Sequence, residues 1–384
     1  MMKNIGIYVH IPFCKRKCLY CDFPSFGNME DKFEAYVYAL EQEIEKRGEK
    51  TRGFQVSSIF FGGGTPTVLS EDLLERLLTK INASFTIVED AEITIEANPG
   101  TIHGKMAEAL RKMSFNRLSM GVQAWQNRLL STLGRIHTIE EFVDNFQNAR
   151  KAGFDNINVD LMFALPTQTF TDWKETLEKI TDLNPEHISA YSLIIEEGTP
   201  FYERFEKGEL VETEEVLDRE MYHYAVAFLA EKGYYQYEIS NFSKLGRESR
   251  HNKIYWQTTP YLGMGLGAHS YFQGSRFHNT YDLDKYILAD GEINRLEEER
   301  EMVLKKAAME EFMFLGLRLT EGVSFKVFFE RFGVEMTEVY SKVISDFLES
   351  DLLRQTEEGI ALTQRGIDLS NQVFAEFLLD EYRK

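Results

Sequence analysis

From Ile5 onward the chain alternates short apolar runs with longer amphipathic stretches, and this alternation limits its folds more than any other feature. The runs Ile5–Ile11, Ser57–Phe61, Glu92–Glu96, Arg117–Val122, Asn156–Phe163, His187–Ile194 and Tyr234–Ile239 have the length and residue types of strands. Helical periodicity falls between them, over Asp31–Arg47, Asp72–Ile81, Lys105–Met113, Ile139–Lys151, Asp172–Thr181 and Glu214–Lys232. Strands separated by helices build βαβ units on a parallel sheet. Runs such as Ser58-Ile59-Phe60-Phe61 read as strands buried on both faces. Repeated units of this kind predict an α/β fold, a full or partial (β/α) barrel whose working residues sit at the carboxyl ends of its strands.

The loop after the first strand holds every cysteine of the 384-residue chain: Cys14, Cys18 and Cys21, spaced C-x3-C-x2-C. Thiolates are soft ligands that select iron–sulfur clusters or zinc. A cubane cluster usually takes four cysteines, so a [4Fe–4S] cluster here leaves one iron open to another ligand. The competing readings are a zinc site completed by a histidine, as in an adaptor without redox chemistry, and unpaired thiols. Zinc is weakened because the nearest histidine, His10, has no second CxxC or HxxxH to complete a fingerprint. Lys15, Arg16 and Lys17 between the cysteines favour thiolate over thiol.

The second strand ends in Gly62-Gly63-Gly64-Thr65-Pro66, where glycines let backbone approach a ligand closely. Glu96, Gln123 and Asp160 close three later strands, and each alone reads equally as a hydrogen-bonded rim residue. Arg135 offers a fork-shaped cation suited to a carboxylate.

With Tyr20 before its third cysteine, and with the preceding string Ile7-Tyr8-Val9-His10-Ile11-Pro12-Phe13-Cys14, the loop resembles that of radical S-adenosylmethionine enzymes. The branch it resembles holds oxygen-independent coproporphyrinogen III dehydrogenase and the HemW-type heme chaperones. The resemblance implies a partial (β/α)6 barrel with a [4Fe–4S] cluster on Cys14, Cys18 and Cys21. It implies that S-adenosylmethionine chelates the fourth iron through its amino and carboxyl groups. Carried over residue by residue, it places Tyr8, Tyr20, Gly63, Gly64, Thr65, Glu96, Gln123, Arg135 and Asp160 around S-adenosylmethionine. The dehydrogenase holds a second such molecule, which some of these positions serve.

The barrel pattern is expected over 1–240. Over 241–300, a linking region, it gives way to aromatics, glycines and histidines. A histidine followed by Tyr-Trp, as in His251-Asn252-Lys253-Ile254-Tyr255-Trp256, can ligate iron beside a flat apolar surface. A buried, hydrogen-bonded histidine among core aromatics is the plainer reading. The string matches the HNxxYW motif associated with heme in HemW-type proteins, which assigns His251, Tyr255 and Trp256 to heme. His269 is a second candidate.

Over 301–384 the pattern predicts helices Glu301–Leu317, Phe325–Phe332 and Glu338–Leu348, a two-stranded wing (Leu352–Gln355 and Gly359–Leu362) and a final helix Gln364–Leu379. That order resembles a small winged-helix-like domain. Nucleic acid is disfavoured because Glu338, Asp346, Glu349 and Asp351 crowd the third helix, and the net charge is −19.

Within the branch, Asp22-Phe23 replaces the Gly-Cys that follows the dehydrogenase's third cysteine, and the dehydrogenase has a longer segment before the motif. The resemblance therefore implies a heme chaperone that binds a [4Fe–4S] cluster, S-adenosylmethionine and heme and delivers heme to an acceptor protein. Radical decarboxylation of coproporphyrinogen III is the alternative. A cytoplasmic protein with no transmembrane segment is expected, because the start lacks a signal peptide and the uncharged stretch Ile254–Ser275 is too rich in glycine and polar groups to span a bilayer. Peripheral membrane contact, a membrane-associated acceptor and a homodimer are left open.

Overall fold

The computed structural model describes residues 2–379. Parallel strands β1 (Lys3–Ile11), β2 (Phe54–Gly63), β3 (Ile87–Ala97), β4 (Arg117–Gln123), β5 (Ile157–Phe163) and β6 (His187–Ser192) lie side by side in chain order within a twelve-stranded sheet. Helices α1 (Phe33–Glu49), α2 (Glu71–Ser84), α3 (Gly104–Lys112), α4 (Ile139–Lys151), α5 (Phe170–Asp182) and α6 (Glu215–Glu231) return the chain after each strand, the expected partial (β/α)6 barrel. Capping boxes start two of them, Thr138 with Glu141 on α4 and Thr169 with Asp172 on α5, each satisfying backbone donors that the first helical turn leaves free.

Successive strand side chains point to opposite faces, which separates core from site. On β1, Ile5, Ile7, Val9 and Ile11 are fully buried on the face that meets the helices, while Gly6, Tyr8 and His10 fall on the inner face. The same division puts Ser58, Phe60 and Gly62 of β2 inside, with Glu92, Thr94 and Glu96 of β3, Arg117 and Ser119 of β4, and Asn158 and Asp160 of β5. Aliphatic packing outside the barrel therefore encloses a polar interior.

The stretch expected to link two domains adds strands instead. Before it, the strand expected over Tyr234–Ile239 forms as β7 (Tyr235–Glu238), and β8 (Asn241–Ser243), the first of the added strands, pairs between it and β6. After helix α7 (Arg250–Trp256), β9 (Tyr261–Met264) pairs in parallel with β1, and β10 (His269–Phe272), β11 (Ser275–Asn279) and β12 (Glu297–Met302) follow antiparallel. α7 packs across the amino-terminal ends of β1 and β2, where a Cβ on Gly6 would lie 2.9 Å from Ile254 Cδ1.

A buried network ties α1 to this added sheet. Glu43 accepts from Arg47 Nε at 3.1 Å, Asn279 Nδ2 at 2.8 Å, Tyr286 OH at 2.7 Å and the Gly265 amide at 2.9 Å. Tyr36 OH donates to His10 O at 2.7 Å and accepts from the Leu266 amide at 2.9 Å. These bonds fix the end of β1, from which the cysteine loop departs.

The remaining chain forms the expected small winged domain: α8 (Lys305–Gly316), β13 (Val323–Ser324), α9 (Phe325–Phe332), α10 (Ser341–Glu349), β14 (Leu353–Gln355) and β15 (Gly359–Leu362). Its own core gathers Phe312, Met313, Phe328, Tyr340, Ile344 and Phe377. The helix expected from Glu301 starts at Lys305 because Glu297–Met302 is drawn into the sheet as β12, a charged edge that resists further pairing. The helix expected over Glu338–Leu348 is interrupted at Tyr340, and the last one at Leu369. The second break lets Ile367 pack against both the barrel core and the winged core while Val373 and Phe377 fill the latter. The end of that expected helix, Leu379, marks the limit of the described residues. No helix among these is long and apolar enough to cross a membrane.

Candidate functional site

A cleft of about 390 Å³ opens at the carboxyl ends of the strands, inside the volume range of small-molecule sites. Cys14, Cys18 and Cys21 form one wall, with Arg16, Lys17, Tyr20 and Phe23 of the same loop. The loop is anchored from behind. The Leu19 amide donates to Leu133 O and the Phe201 amide to Leu19 O, each at 3.0 Å. Leu19 and Tyr20 pack on a satellite apolar cluster of Leu129, Leu130, Leu133, Leu165 and Phe201.

Behind the thiols runs a polar relay. Arg135 Nη1 donates to Cys18 Sγ at 3.3 Å, and Nη2 donates to Asn98 Oδ1 at 2.6 Å and Gly121 O at 2.5 Å. Asn98 Nδ2 donates to Thr65 Oγ1 at 2.7 Å, and Thr65 Oγ1 lies 3.6 Å from Cys14 Sγ. One cation thus supports two thiols through three side chains. Burial works against the charge of Arg135, but Tyr20 and Cys18 beside it outweigh that and hold its pKa above the ordinary value. Burial raises the thiol pKa of Cys14 and pushes that of Cys21 up to about 11, so metal binding at this loop displaces protons. Among the described residues no three His, Cys, Asp or Glu side chains close around a single point as they would around one ion.

The glycine turn approaches as the sequence predicts. The Gly64 amide donates to Ile11 O at 2.8 Å, and a Cβ there would sit 2.5 Å from Phe13 O. The Gly63 amide donates to Glu96 Oε2 at 3.3 Å. Burial, with Asp160 nearby, lifts the Glu96 carboxyl pKa to about 8. Asp160 is held by Ser119 Oγ at 3.0 Å and Asn158 Nδ2 at 2.8 Å. Gln123 sits at a register shift with φ 67, and its Oε1 is buried without a donor, as Arg135 Nε is without an acceptor. A bulge of this kind re-aims one side chain at the cost of local strain.

Cys14, Cys18, Cys21, Tyr20, Gly63, Gly64, Glu96, Gln123, Arg135 and Asp160 therefore share one cleft, and Thr65 lines the adjoining recess beside Cys18. Tyr8 lies beneath its floor, its hydroxyl 3.1 Å from His10 Nδ1. Asn98, Ser119 and Tyr191 also line the cleft and were not assigned from sequence. Their signal was present: Asn98 stands two residues beyond Glu96 at the end of β3, Ser119 two before Gly121, and Tyr191 on the inner face of β6.

The heme-motif residues lie elsewhere. His251, 1% exposed, is on α7 at the opposite end of the barrel. Its Nδ1 is 2.8 Å from Ser58 Oγ and its Nε2 is 2.8 Å from Tyr255 OH, with Phe60 stacked on the ring at 5.2 Å. Burial, then the charge of Arg117, lowers its pKa to about 3. Both ring nitrogens are thus engaged in the core, so this arrangement does not offer His251 to an iron atom. Trp256, at the far end of the helix, instead lines a second cleft against the winged domain.

Residues 8–180 match the family model for the radical SAM superfamily, and residues 303–369 match that for the HemN C-terminal domain. The heme chaperone HemW of Bacillus subtilis is 39% identical over 97% of this chain and 98% of its own length, and that of Lactococcus lactis is 39% identical over 99% of each. The chain belongs to the HemW family. Coproporphyrinogen III oxidase (HemN) of Escherichia coli, described as a radical SAM enzyme, shares the fold with a TM-score of 0.86 at 24% identity, covering 98% of this chain and 90% of that one. HemW membership agrees with the Asp22-Phe23 sequence after the third cysteine and accounts for both domains.

Proposed function

We propose that this protein is a heme chaperone whose barrel holds a [4Fe–4S] cluster and S-adenosylmethionine and whose cargo is heme for an acceptor protein. The observation that carries it is full-length identity of 39% to proteins named heme chaperones, joined to a thiol loop facing a polar cleft. Cys14, Cys18 and Cys21 hold the cluster, and their set of three leaves one corner for a further ligand. A cluster held there would supply one-electron reduction of the sulfonium of S-adenosylmethionine.

The chain's own residues divide the remaining work. Arg135 donates to Cys18 Sγ at 3.3 Å and holds a cation against that sulfur. Asn98 and Thr65 extend that support toward Cys14. The orphan atoms Gln123 Oε1 and Arg135 Nε offer an acceptor and a donor to a zwitterionic ligand. Glu96, with its raised pKa, can lend a proton or accept one at the glycine turn. Tyr8, Gly63, Gly64, Thr65 and Asp160 complete the shape of the pocket.

The test is anaerobic reconstitution of the full chain, with iron and acid-labile sulfide quantified, followed by hemin transfer to an apo-heme protein and, in parallel, incubation with coproporphyrinogen III. Hemin transfer without formation of protoporphyrinogen IX is expected. Turnover of coproporphyrinogen III would instead make the protein a dehydrogenase, and zinc in place of iron and sulfide would remove both readings.

A further inference from the structure

Beneath the thiol-lined cleft the barrel interior holds a chain of polar side chains to which the proposed function gives no role. His187, at the start of β6, is fully buried at its centre. Its Nδ1 lies 2.6 Å from Asn158 Oδ1 on β5, and its Nε2 lies 2.8 Å from Tyr237 OH on β7. Asn158 Nδ2 reaches two acceptors, Ser119 Oγ and Asp160 Oδ1, each at 2.8 Å. Ser119 Oγ donates to Asp160 Oδ2 at 3.0 Å, and Ser189 Oγ donates to Asn158 Oδ1 at 3.2 Å. At the far end the Ser249 amide donates to Tyr237 OH at 3.3 Å.

The chemistry of these groups allows one direction of donation. A carboxylate only accepts, so the side of the Asn158 amide that faces Asp160 is Nδ2, which leaves Oδ1 facing His187. His187 must then carry its proton on Nδ1, and its Nε2 accepts from Tyr237 OH. Burial, then the charge of Arg117, lowers the pKa of this ring well below the ordinary value, so it is neutral and has one proton to donate. Turning the Asn158 amide by 180° would set its oxygen against the carboxylate and its NH2 group against Nδ1–H. Asp160 itself lines the cleft. We propose that His187 is a positioning residue for ligand binding: it locks the Asn158 amide in the orientation that donates to Asp160, and so aims that carboxylate at a hydroxyl or ammonium group of the ligand. This rests on the reading of the cleft as the S-adenosylmethionine site and deepens it, naming a residue that acts on the ligand through two other side chains. Without Nδ1–H the amide is free to turn, and a turned amide puts repulsion in place of attraction at Asp160.

The test is equilibrium dialysis of S-adenosylmethionine against the full chain, reconstituted anaerobically with iron and sulfide, and three variants. His187→Leu removes the Nδ1 donor, and affinity should fall about 10-fold or more, the strength of a hydrogen bond to a charged group. His187→Asn places an amide N–H where Nδ1 stood and should bind within about twofold of wild type. Tyr237→Phe strips the other ring nitrogen of its partner but leaves Nδ1–H on Asn158, so it should lower Tm and keep affinity within about twofold. Nitrogen-15 NMR of histidine-labelled wild type, with His187 assigned through its contacts with Tyr237, should show a protonated Nδ1 and a bare Nε2. That reading decides even where a variant does not fold. If wild type binds S-adenosylmethionine and the ring is protonated on Nε2, the inference is overturned and the cleft keeps its ligand. The same holds if His187→Leu binds within about twofold of wild type, or if His187→Asn or Tyr237→Phe loses as much affinity as His187→Leu. If reconstituted wild type binds no S-adenosylmethionine, the reading of the cleft falls with it.

Discussion

Replacing His251 by phenylalanine separates a structural role for this residue from an iron-ligating one. The ring is sandwiched by Phe60 at 5.2 Å and meets Tyr255 edge-on at 5.1 Å, so a phenyl group fits the space. It cannot replace two hydrogen bonds, leaving Ser58 Oγ and Tyr255 OH without their ring partner in the protein interior. Each orphaned group costs roughly 1–3 kcal/mol. Relief from burying a polar imidazole returns about 1 kcal/mol, so the net loss over the two groups is about 1–5 kcal/mol. In a domain of this size 1 kcal/mol shifts the melting temperature by roughly 2 °C, so Tm should fall by about 2–10 °C. Thermal melts followed by far-ultraviolet circular dichroism give the shift, and hemin titration well below the new midpoint gives affinity. Expected are a lower Tm and near-normal hemin affinity in the folded variant. An unchanged Tm with abolished hemin binding would refute the reasoning, because His251 would then have to leave the core and bind iron itself.

The same residue sets an acid sensitivity. Its pKa is lowered to about 3 by burial and then by Arg117, while an unfolded histidine titrates near 6.5, so the unfolded state takes up the proton first. Its stability contribution is complete above about pH 6.5 and falls by up to ~1.4 kcal/mol per pH unit between there and pH 3. The His251→Phe variant should show a shallower decline of Tm between pH 6 and 4 than wild type, and parallel curves would contradict this. Gly64→Ala drives a Cβ to 2.5 Å from Phe13 O, so the turn must shift. Equilibrium dialysis should show S-adenosylmethionine affinity reduced by about 10-fold or more, as expected for a loss of roughly 1.4 kcal/mol, and unchanged affinity would remove that turn from the binding site. Arg135→Gln deletes the cation beside Cys18 and leaves Asn98 Oδ1 and Gly121 O short of a donor. Cluster loss to a chelator, followed by the visible absorbance, should be about 10-fold faster, the kinetic equivalent of ~1.4 kcal/mol. An unchanged half-life would show that the guanidinium does not support the thiols.

Much of the barrel could be read from the chain because local and long-range forces agree there. On β1 the period-2 pattern Ile5, Ile7, Val9, Ile11 is both a strand signal and the surface that the helices bury. The helix Ile139–Lys151 begins and ends where its capping box and periodicity place it. The cysteine loop and glycine turn were legible because thiols at fixed spacing and consecutive glycines have few other uses. Harder to read were features decided by partners far along the chain. The helix expected from Glu301 loses its first residues because Glu297–Met302 pairs with Ser275–Asn279 as a strand. His251 followed by Tyr-Trp suggests an exposed ligand, yet Ser58, 193 positions away, takes one of its nitrogens. Asn98 sits at a strand end where a site residue is expected, but its role in the relay could not be read there because its partners, Thr65 and Arg135, come from the loops that follow β2 and β4.

The bonds from Tyr36 and Glu43 to the turn at Gly265 and Leu266 have a consequence for how the protein comes into being. On the ribosome the cysteines emerge early, but the groups that steady the end of β1 are synthesised more than 220 residues later. A partly translated chain therefore exposes three thiols on a loop whose base is not yet fastened. A cluster held by these thiols would be retained only once Gly265 and Leu266 have been made, and a truncation that stops before Gly265 should yield a barrel unable to retain iron and sulfide.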